Sequence, residues 1–304
     1  MSKTLSDITR VRRRFQRSIR VGDDAGVAEG FICTATAAQA LETTIEHVSA
    51  LGHGAFTWTG PYGCGKSSLA VVLAALLGPT GPSRDEALEV LPAELREQIV
   101  TKMGWEPQGW TTLSIVGSRS DASSVLTSAL DEAGIKKGRG PIERLVAEAK
   151  RGIGTLLVID EMGKLLEHAA SEGGDAFFFQ ELAEAASRSD GHLVVVGVLH
   201  QAFDDYAYRL ARETREDWLK IQGRYVDVPL NPTGEEQIEL LSRAIECDTP
   251  PKAIAGISEV AKAIGGARGG SDAAERRLAS CWPLGPVVAC LLGPLSRRRF
   301  GQNQ

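Results

Sequence analysis

The pattern of apolar and polar positions predicts short buried strands that alternate with helices along most of the chain. The strand candidates are apolar runs closed by turn residues, which is typical of strands covered on both faces of a parallel sheet. They begin at Ala55, Trp110, Thr155, Leu193 and Tyr225. Apolar residues recur at helical spacing over residues 34–51, 66–77, 84–103, 122–133, 141–151, 177–187 and 202–222. This order predicts an α/β fold with a five-stranded parallel sheet flanked by helices.

A change of character after Asn231-Pro232 predicts a domain boundary. Residues 31–232 contain all the strand candidates and form the predicted core domain. The segments beyond it have helical spacing and no strand between them; they are residues 235–245, 252–264, 272–280 and 286–295. Residues 233–304 are therefore predicted to form a small C-terminal helical lid domain. Residues 1–30 are polar and are predicted to form a basic N-terminal arm.

The predicted arm carries a cluster of arginines: Arg10, Arg12, Arg13, Arg14, Arg17 and Arg20. Such a cluster is typical of segments that contact nucleic acid or an acidic neighbouring subunit. A solvated surface explains it equally well. The whole chain of 304 residues has a net charge of −5, so its overall charge gives no support for nucleic-acid binding.

The cysteines and the apolar runs bear on the cellular setting. The five cysteines show no CxxC spacing, which indicates reduced thiols and no cysteine-based metal site. The sequence opens without a signal peptide, and its apolar runs are shorter than a transmembrane helix. These features predict a cytoplasmic protein that does not enter a membrane.

The first strand candidate is followed by a phosphate-binding loop. Gly60, Gly65, Lys66 and Ser67 match the GxxxxGKS/T spacing between a strand-like run and an apolar helix. Such a loop wraps backbone N–H groups around a phosphate at a helix N-terminus. Lys66 is predicted to reach the β- and γ-phosphates, and the Ser67 hydroxyl to ligate Mg²⁺. The residues predicted to contact the nucleotide are Gly60, Pro61, Tyr62, Gly63, Cys64, Gly65, Lys66, Ser67 and Ser68.

A second motif is the apolar run from Thr155 that ends in Asp160-Glu161. In an open α/β sheet, residues at the carboxyl ends of the strands line the ligand site. Asp160 is predicted to belong to the Mg²⁺ shell, and Glu161 to orient or deprotonate the attacking water. The alternative is a carboxylate pair that caps the next helix. The phosphate loop earlier in the chain favours the catalytic interpretation.

Two further positions are candidates for the nucleotide site. His200-Gln201 follows the apolar run from Leu193, so one of them could sense the γ-phosphate; a helix cap is the alternative. The patch Phe31-Ile32-Cys33 could pack on a base through Ile32, or be ordinary core. We expect ATP rather than GTP, because the sequence contains no NKxD-like motif for reading guanine.

The order of these motifs resembles that of the AAA+ ATPases, and the lid with the segment from Arg224 to Leu230 is most similar to the initiator-like and STAND branches. The resemblance implies an arginine that acts on a neighbouring subunit's nucleotide, and it maps this arginine onto Arg224. The competing candidates are Arg209, Arg212 and Arg215. A lid sensor arginine is also implied, for which Arg297, Arg298 and Arg299 are the candidates.

Longer phrases resemble the ATPase modules of large bacterial anti-phage defence proteins of the BREX or RADAR type. These phrases are FTWTGPYGCGKSSLA, VGVLHQAFDDYA, KIQGRYVDVPL and RRRFGQNQ. The resemblance implies an Mg²⁺-dependent ATPase that forms a homo-oligomer, works with an effector protein and undergoes a conformational switch. Two alternatives remain: a nucleotide-gated scaffold with little turnover, and a DNA-binding ATPase like an initiator or clamp loader.

Overall fold

The computed structural model describes residues 4–12, 30–104, 106–171, 175–201, 218–248, 251, 253–265 and 271–300, without the side chains of residues 171, 271 and 297–300. Among the arginines named above, those that lie outside this part, or whose side chains do, are Arg13, Arg14, Arg17, Arg20, Arg209, Arg212, Arg215, Arg297, Arg298 and Arg299. Most of the helix predicted over residues 202–222 also lies outside it, although residues 218–222 are helical.

Within these residues the strands are β1 (Thr9–Val11), β2 (Ala55–Thr59), β3 (Thr111–Val116), β4 (Thr155–Asp160), β5 (Leu193–Leu199), β6 (Val226–Pro229) and β7 (Ile245–Cys247). The helices are α1 (Leu5–Ile8), α2 (Ala35–Leu51), α3 (Lys66–Leu77), α4 (Pro82–Glu89), α5 (Ala93–Lys102), α6 (Ala122–Glu132), α7 (Pro141–Arg151), α8 (Met162–Ser171), α9 (Phe177–Ser187), α10 (Gly234–Ala244), α11 (Ile257–Gly265), α12 (Ser271–Ser280) and α13 (Pro286–Phe300). None of the helices described is long and apolar enough to cross a membrane.

A five-stranded sheet in the order β3-β4-β5-β2-β6 confirms the predicted fold class. All its neighbouring strands are parallel. Thr59 at the end of β2 pairs with Leu199 at the end of β5, and Asp160 ends β4. The loop after β2 and the residues that follow β4 and β5 therefore meet at one edge of the sheet, where open α/β sheets bind ligands.

The central strands β2, β4 and β5 are buried on both faces, which is why they are apolar runs rather than alternating patterns. The edge strands β3 and β6 are only partly buried. Along β4, Leu156 and Val158 belong to one hydrophobic cluster, whereas Leu157 and Ile159 belong to another. The first cluster includes the buried faces of α2, α3 and α5, and the second includes those of α6, α7, α8 and α9. The helices packed on both faces hold the strands in place, including the strand ends at the edge described above.

Two helical predictions needed correction. The segment 84–103, predicted as one helix, consists of α4 and α5, and the residue at the N-cap of α5 is Pro92. Proline disfavours helical geometry at the residue before it, so the helix cannot run through this point. Helix α8 was not predicted, although Met162, Leu165 and Leu166 are buried at helical spacing.

Residues 1–18 and 232–304 belong to one compact unit, and residues 19–231 to the other. In the smaller unit, β1 pairs with β7 in antiparallel fashion. The Nε of Arg10 lies 2.7 Å and that of Arg12 3.0 Å from a carboxylate oxygen of Glu246. This differs from the predicted separate arm over residues 1–30, because strands of three residues carry no readable pattern. The helices of this unit enclose a core of Ile238, Ala261, Leu278, Cys281 and Ala289.

Candidate nucleotide-binding site

The loop between β2 and α3 forms an open cradle. A Cβ added to Gly60 would lie 2.4 Å from the carbonyl oxygen of Leu230, so only glycine permits this close approach. Gly65, the N-cap of α3, has a φ of 91°, which favours glycine for conformational reasons. A Cβ at Gly63 or Gly65 would meet no atom within 4 Å. There is thus open space beside the loop at these two positions, next to a helix N-terminus of the kind that binds phosphate.

Lys66, the first residue of α3, is only 4% exposed. Its Nζ donates to the carbonyl oxygens of Gly60 at 2.6 Å and Pro61 at 2.8 Å. Burial lowers the pKa of Lys66, and the neighbouring Cys64 and Asp160 act in the opposite direction. The loop's own carbonyl groups thus hold the ammonium group beside the cradle.

The loop is joined to the end of β4 by a hydrogen bond from the Ser67 hydroxyl to Oδ1 of Asp160 at 3.1 Å. The backbone N–H of Glu161 donates to the same oxygen at 2.9 Å. Burial raises the pKa of Asp160, and these two hydrogen bonds oppose the shift. A hydroxyl and a carboxylate oxygen are the hard ligands that Mg²⁺ prefers. This pair fits the predicted Mg²⁺ position.

The described residues include no cluster of three or more His, Cys, Asp or Glu side chains that could hold a metal ion by themselves. That finding is compatible with a nucleotide-bound Mg²⁺. Such an ion typically takes one or two protein oxygens, and phosphates and water complete its octahedral shell. Ser67 and Asp160 supply that number.

Glu161 follows β4 in a left-handed backbone conformation, with a φ of 51°. This conformation costs about 1–3 kcal/mol for a residue other than glycine and persists only where the surroundings enforce it. Gly117 permits a close approach to this turn, because a Cβ there would lie 2.4 Å from the Glu161 carbonyl oxygen. The Glu161 carboxylate forms an ion pair with the ammonium group of Lys164 on α8. The sequence analysis did not identify Lys164.

His200, the residue after β5, contacts the phosphate loop. Its ring stacks on that of Tyr62, with 3.7 Å between centroids and 17° between planes. Both ring nitrogens are buried and have no hydrogen-bond partner in the described part of the chain. Burial and the charge of Lys66 lower the pKa of His200 to about 4; Glu161 opposes the shift and Lys164 adds to it. The imidazole is therefore neutral near pH 7, with buried polar atoms next to the cradle.

For the other residues predicted to contact the nucleotide, the structure gives only their exposure and their packing. Gln201 is exposed, and Ser68 is half-buried on the first turn of α3. Ile32 is half-buried, whereas its neighbours Phe31 and Cys33 pack against the core of the larger unit. The predicted contact of Ile32 with a base, like that of Gln201 with the γ-phosphate, stays a prediction.

Arg224 lies before β6, far from the loop of its own chain. Val226 pairs with Phe56 and Pro229 with Thr59, so Arg224 is displaced from the loop by on the order of 15 Å along the strand direction. Its Nε donates to Glu184 at 2.9 Å, and its guanidinium also donates to the Lys220 carbonyl at 2.8 Å. Any contact between Arg224 and phosphate would thus involve another copy.

No protein-family model and no curated protein sequence matches this chain. Among solved structures, it is similar to the Aeropyrum pernix ORC1 protein in complex with DNA, at 16% identity and a TM-score of 0.42, over 96% of this chain and 65% of that one. The ORC2 protein of the same organism in its ADP form has 15% identity and a TM-score of 0.44, over 96% and 69%. Domain III of the Thermotoga maritima replication initiation protein DnaA has 14% identity and a TM-score of 0.38, over 73% and 74%.

At these identities and scores, nothing about the activity of this chain follows from its structural relatives. The chain also spans only 65% of the ORC1 chain that it resembles. The features of the chain itself give more direct evidence of its fold. They are a five-stranded parallel sheet, the loop after β2, and Asp160 and His200 at the same sheet edge. On these features, the larger unit has the fold of a P-loop NTPase.

Proposed function

We propose that this protein is an AAA+ ATPase that binds ATP with Mg²⁺ at residues 60–68 and hydrolyses it. One observation carries the proposal: the 3.1 Å hydrogen bond from Ser67 to Asp160. It unites the loop that would hold the phosphates with the strand end that would complete the Mg²⁺ shell. Glu161 is the next residue, within reach of the same position.

The chain's own groups have separable roles in this proposal. The loop N–H groups and Lys66 bind the phosphates, while Ser67 and Asp160 hold Mg²⁺, which neutralises charge on the phosphoryl group when it is bound. Glu161 orients the attacking water and accepts its proton. The neutral His200 offers a hydrogen bond from a nitrogen that otherwise has no partner in the described residues. Fixed donors of this kind stabilise developing charge without reorganisation.

Arg224 supports a proposal of homo-oligomers in which each subunit completes a neighbour's site. We expect ATPase activity per subunit to rise with protein concentration and to fall about 10³-fold in Arg224→Ala, since a finger of this kind supplies roughly 10³–10⁵ in rate. The measurement is phosphate release over a wide concentration series. Mixing Arg224→Ala with Glu161→Gln should restore part of the activity, because the two variants lack different halves of a shared site.

Arg188→Ala is the matched control, because Arg188 also pairs with Glu184, at 3.0 Å, but its side chain is 79% exposed at the C-cap of α9. It should keep the wild-type concentration dependence. Activity that is flat with concentration, together with mixtures no more active than their parts, would exclude Arg224 as a residue acting between subunits.

The proposed biological setting is bacterial anti-phage defence, in concert with an effector protein. The support is the similarity of the phrases at residues 56–70 and 220–230 to the ATPase modules of defence proteins. The test compares phage plating on cells carrying the complete native locus with that on cells whose only change is Lys66→Ala. Protection that the substitution removes supports the proposal, and equal plating on both contradicts it.

A nucleotide-gated scaffold with little turnover is the second candidate. It is favoured by the Arg224 side chain, which is held by Glu184 and by the Lys220 carbonyl and would have to exchange these partners to reach a neighbour. The scaffold predicts ATP-dependent assembly without phosphate release. An initiator-like role has less support, because Arg10 and Arg12 already pair with Glu246 in their own unit.

A further inference from the structure

We infer that Lys164 is a positioning residue that fixes the carboxylate of Glu161 for the hydrolytic step. The inference rests on the proposed function, in which Glu161 orients the attacking water. Lys164 lies on the first turn of α8, and its ammonium group pairs with Oε2 of Glu161. In the described part of the chain, no hydrogen bond to the other oxygen, Oε1, is present. One carboxylate oxygen is thus held by Lys164, and the other is available to orient the attacking water.

The backbone of Glu161 is already fixed by its surroundings. Its N–H donates to Asp160 at 2.9 Å, its carbonyl accepts the Lys164 N–H at 3.0 Å, and Gly117 packs directly against that carbonyl. These contacts leave the side-chain torsions as the remaining freedom of Glu161. The contact that restrains them is the ion pair with Lys164. The same residue therefore restrains both the turn and the carboxylate.

Electrostatics explains why this carboxylate needs a restraint. Asp160 is the adjacent residue, and a bound nucleotide would add several negative charges, so like-charge repulsion would drive an untethered Glu161 towards solvent. Its side chain is 31% exposed and has such an escape route. The Lys164 charge also acts on the ring of His200, as does that of Lys66. The Lys164 ammonium group thus lies in the charge environment of the phosphate loop.

An ordinary surface ion pair predicts a different outcome. Lys164 is 51% exposed, and exposed pairs at this spacing stabilise proteins only slightly. Losing such a pair would leave both melting temperature and turnover almost unchanged. A positioning role predicts an unchanged melting temperature with a lower kcat, so the two readouts separate the explanations.

The test compares Lys164→Met, which keeps the alkyl chain without the charge, with Lys164→Arg. We expect kcat for ATP to fall roughly 10–100-fold in Lys164→Met, a part of the 10²–10⁴ that a positioned acid or base contributes. KM should stay within about threefold, and Lys164→Arg should recover most of the rate. In a Glu161→Gln background, Lys164→Met should cause little further loss, because coupled residues are not additive. Arg151→Met is the matched control, since Arg151 forms an i,i+3 pair with Glu148 at 2.8 Å.

A measurement without nucleotide tests the pair itself. The side-chain ¹⁵N resonance of Lys164, assigned by its loss in Lys164→Met, should shift in Glu161→Gln and stay in place in Glu148→Gln. A resonance that does not respond to Glu161→Gln would overturn the inference. An unchanged or higher kcat in Lys164→Met would overturn it too and leave the proposed ATPase intact. A wild-type protein that binds ATP without turnover would instead refute the ATPase, and the catalytic role of Lys164 with it.

Discussion

Replacing Lys66 with alanine should abolish tight nucleotide binding. Lys66 is 4% exposed, and its ammonium group lies within 2.8 Å of two loop carbonyl oxygens, those of Gly60 and Pro61. A hydrogen bond to a charged group contributes roughly 1.5–3 kcal/mol, and Lys66 would make such bonds to two phosphates. We therefore expect Kd for MgATP to rise by at least about 100-fold. Isothermal titration calorimetry on the purified protein measures it.

The control for Lys66→Ala is Lys102→Ala. Lys102 is exposed near the end of α5, where it contacts Gln98 at 3.5 Å. This variant should bind MgATP as the wild type does. Circular dichroism and thermal unfolding establish that both variants are folded. An affinity of Lys66→Ala within about threefold of the wild-type value would refute the placement of the phosphates at this loop.

Glu161→Gln should uncouple binding from hydrolysis. Glutamine keeps the size and the backbone contacts of Glu161 but cannot accept a proton from water. We expect MgATP affinity within a few-fold of the wild-type value and turnover lower by roughly 10²–10⁴. Equilibrium binding of labelled ATP and phosphate release, measured on the same preparation, give both quantities.

Glu167→Gln is the matched control for this substitution, because Glu167 lies on the same helix α8, is 44% exposed and contacts Arg119 at 3.5 Å. It should hydrolyse ATP at the wild-type rate. Normal hydrolysis by Glu161→Gln would remove Glu161 as the base, and loss of ATP binding in that variant would make it a binding residue instead.

Patterns of fixed spacing made part of this site predictable from sequence. The phosphate loop has to place Gly60, Lys66 and Ser67 at set intervals, and Asp160 has to end a buried strand, because backbone geometry leaves few other solutions. The apolar runs predicted the parallel sheet for a similar reason, since burial on both faces removes the alternation of a half-exposed strand.

The remaining parts depend on contacts that no local pattern encodes. The stacking of Tyr62 on His200 joins turns that are far apart in sequence and become neighbours only because β2 pairs with β5. Lys164 pairs with Glu161 only because α8 begins directly after that residue. Arg224 was chosen by resemblance, and its partner Glu184 lies 40 residues away in sequence.

The most direct test of the central claim is phosphate release from ATP by the wild-type protein, at a concentration that permits assembly, with Mg²⁺ and with Mg²⁺ removed by EDTA. In the proposed site Ser67 and Asp160 would supply two oxygen ligands at the sheet edge, so nucleotide phosphates and water would complete the Mg²⁺ shell. The account predicts steady release with Mg²⁺ and almost none without it. ATP that is bound but not hydrolysed, with and without Mg²⁺, would contradict the ATPase and leave a nucleotide-gated scaffold.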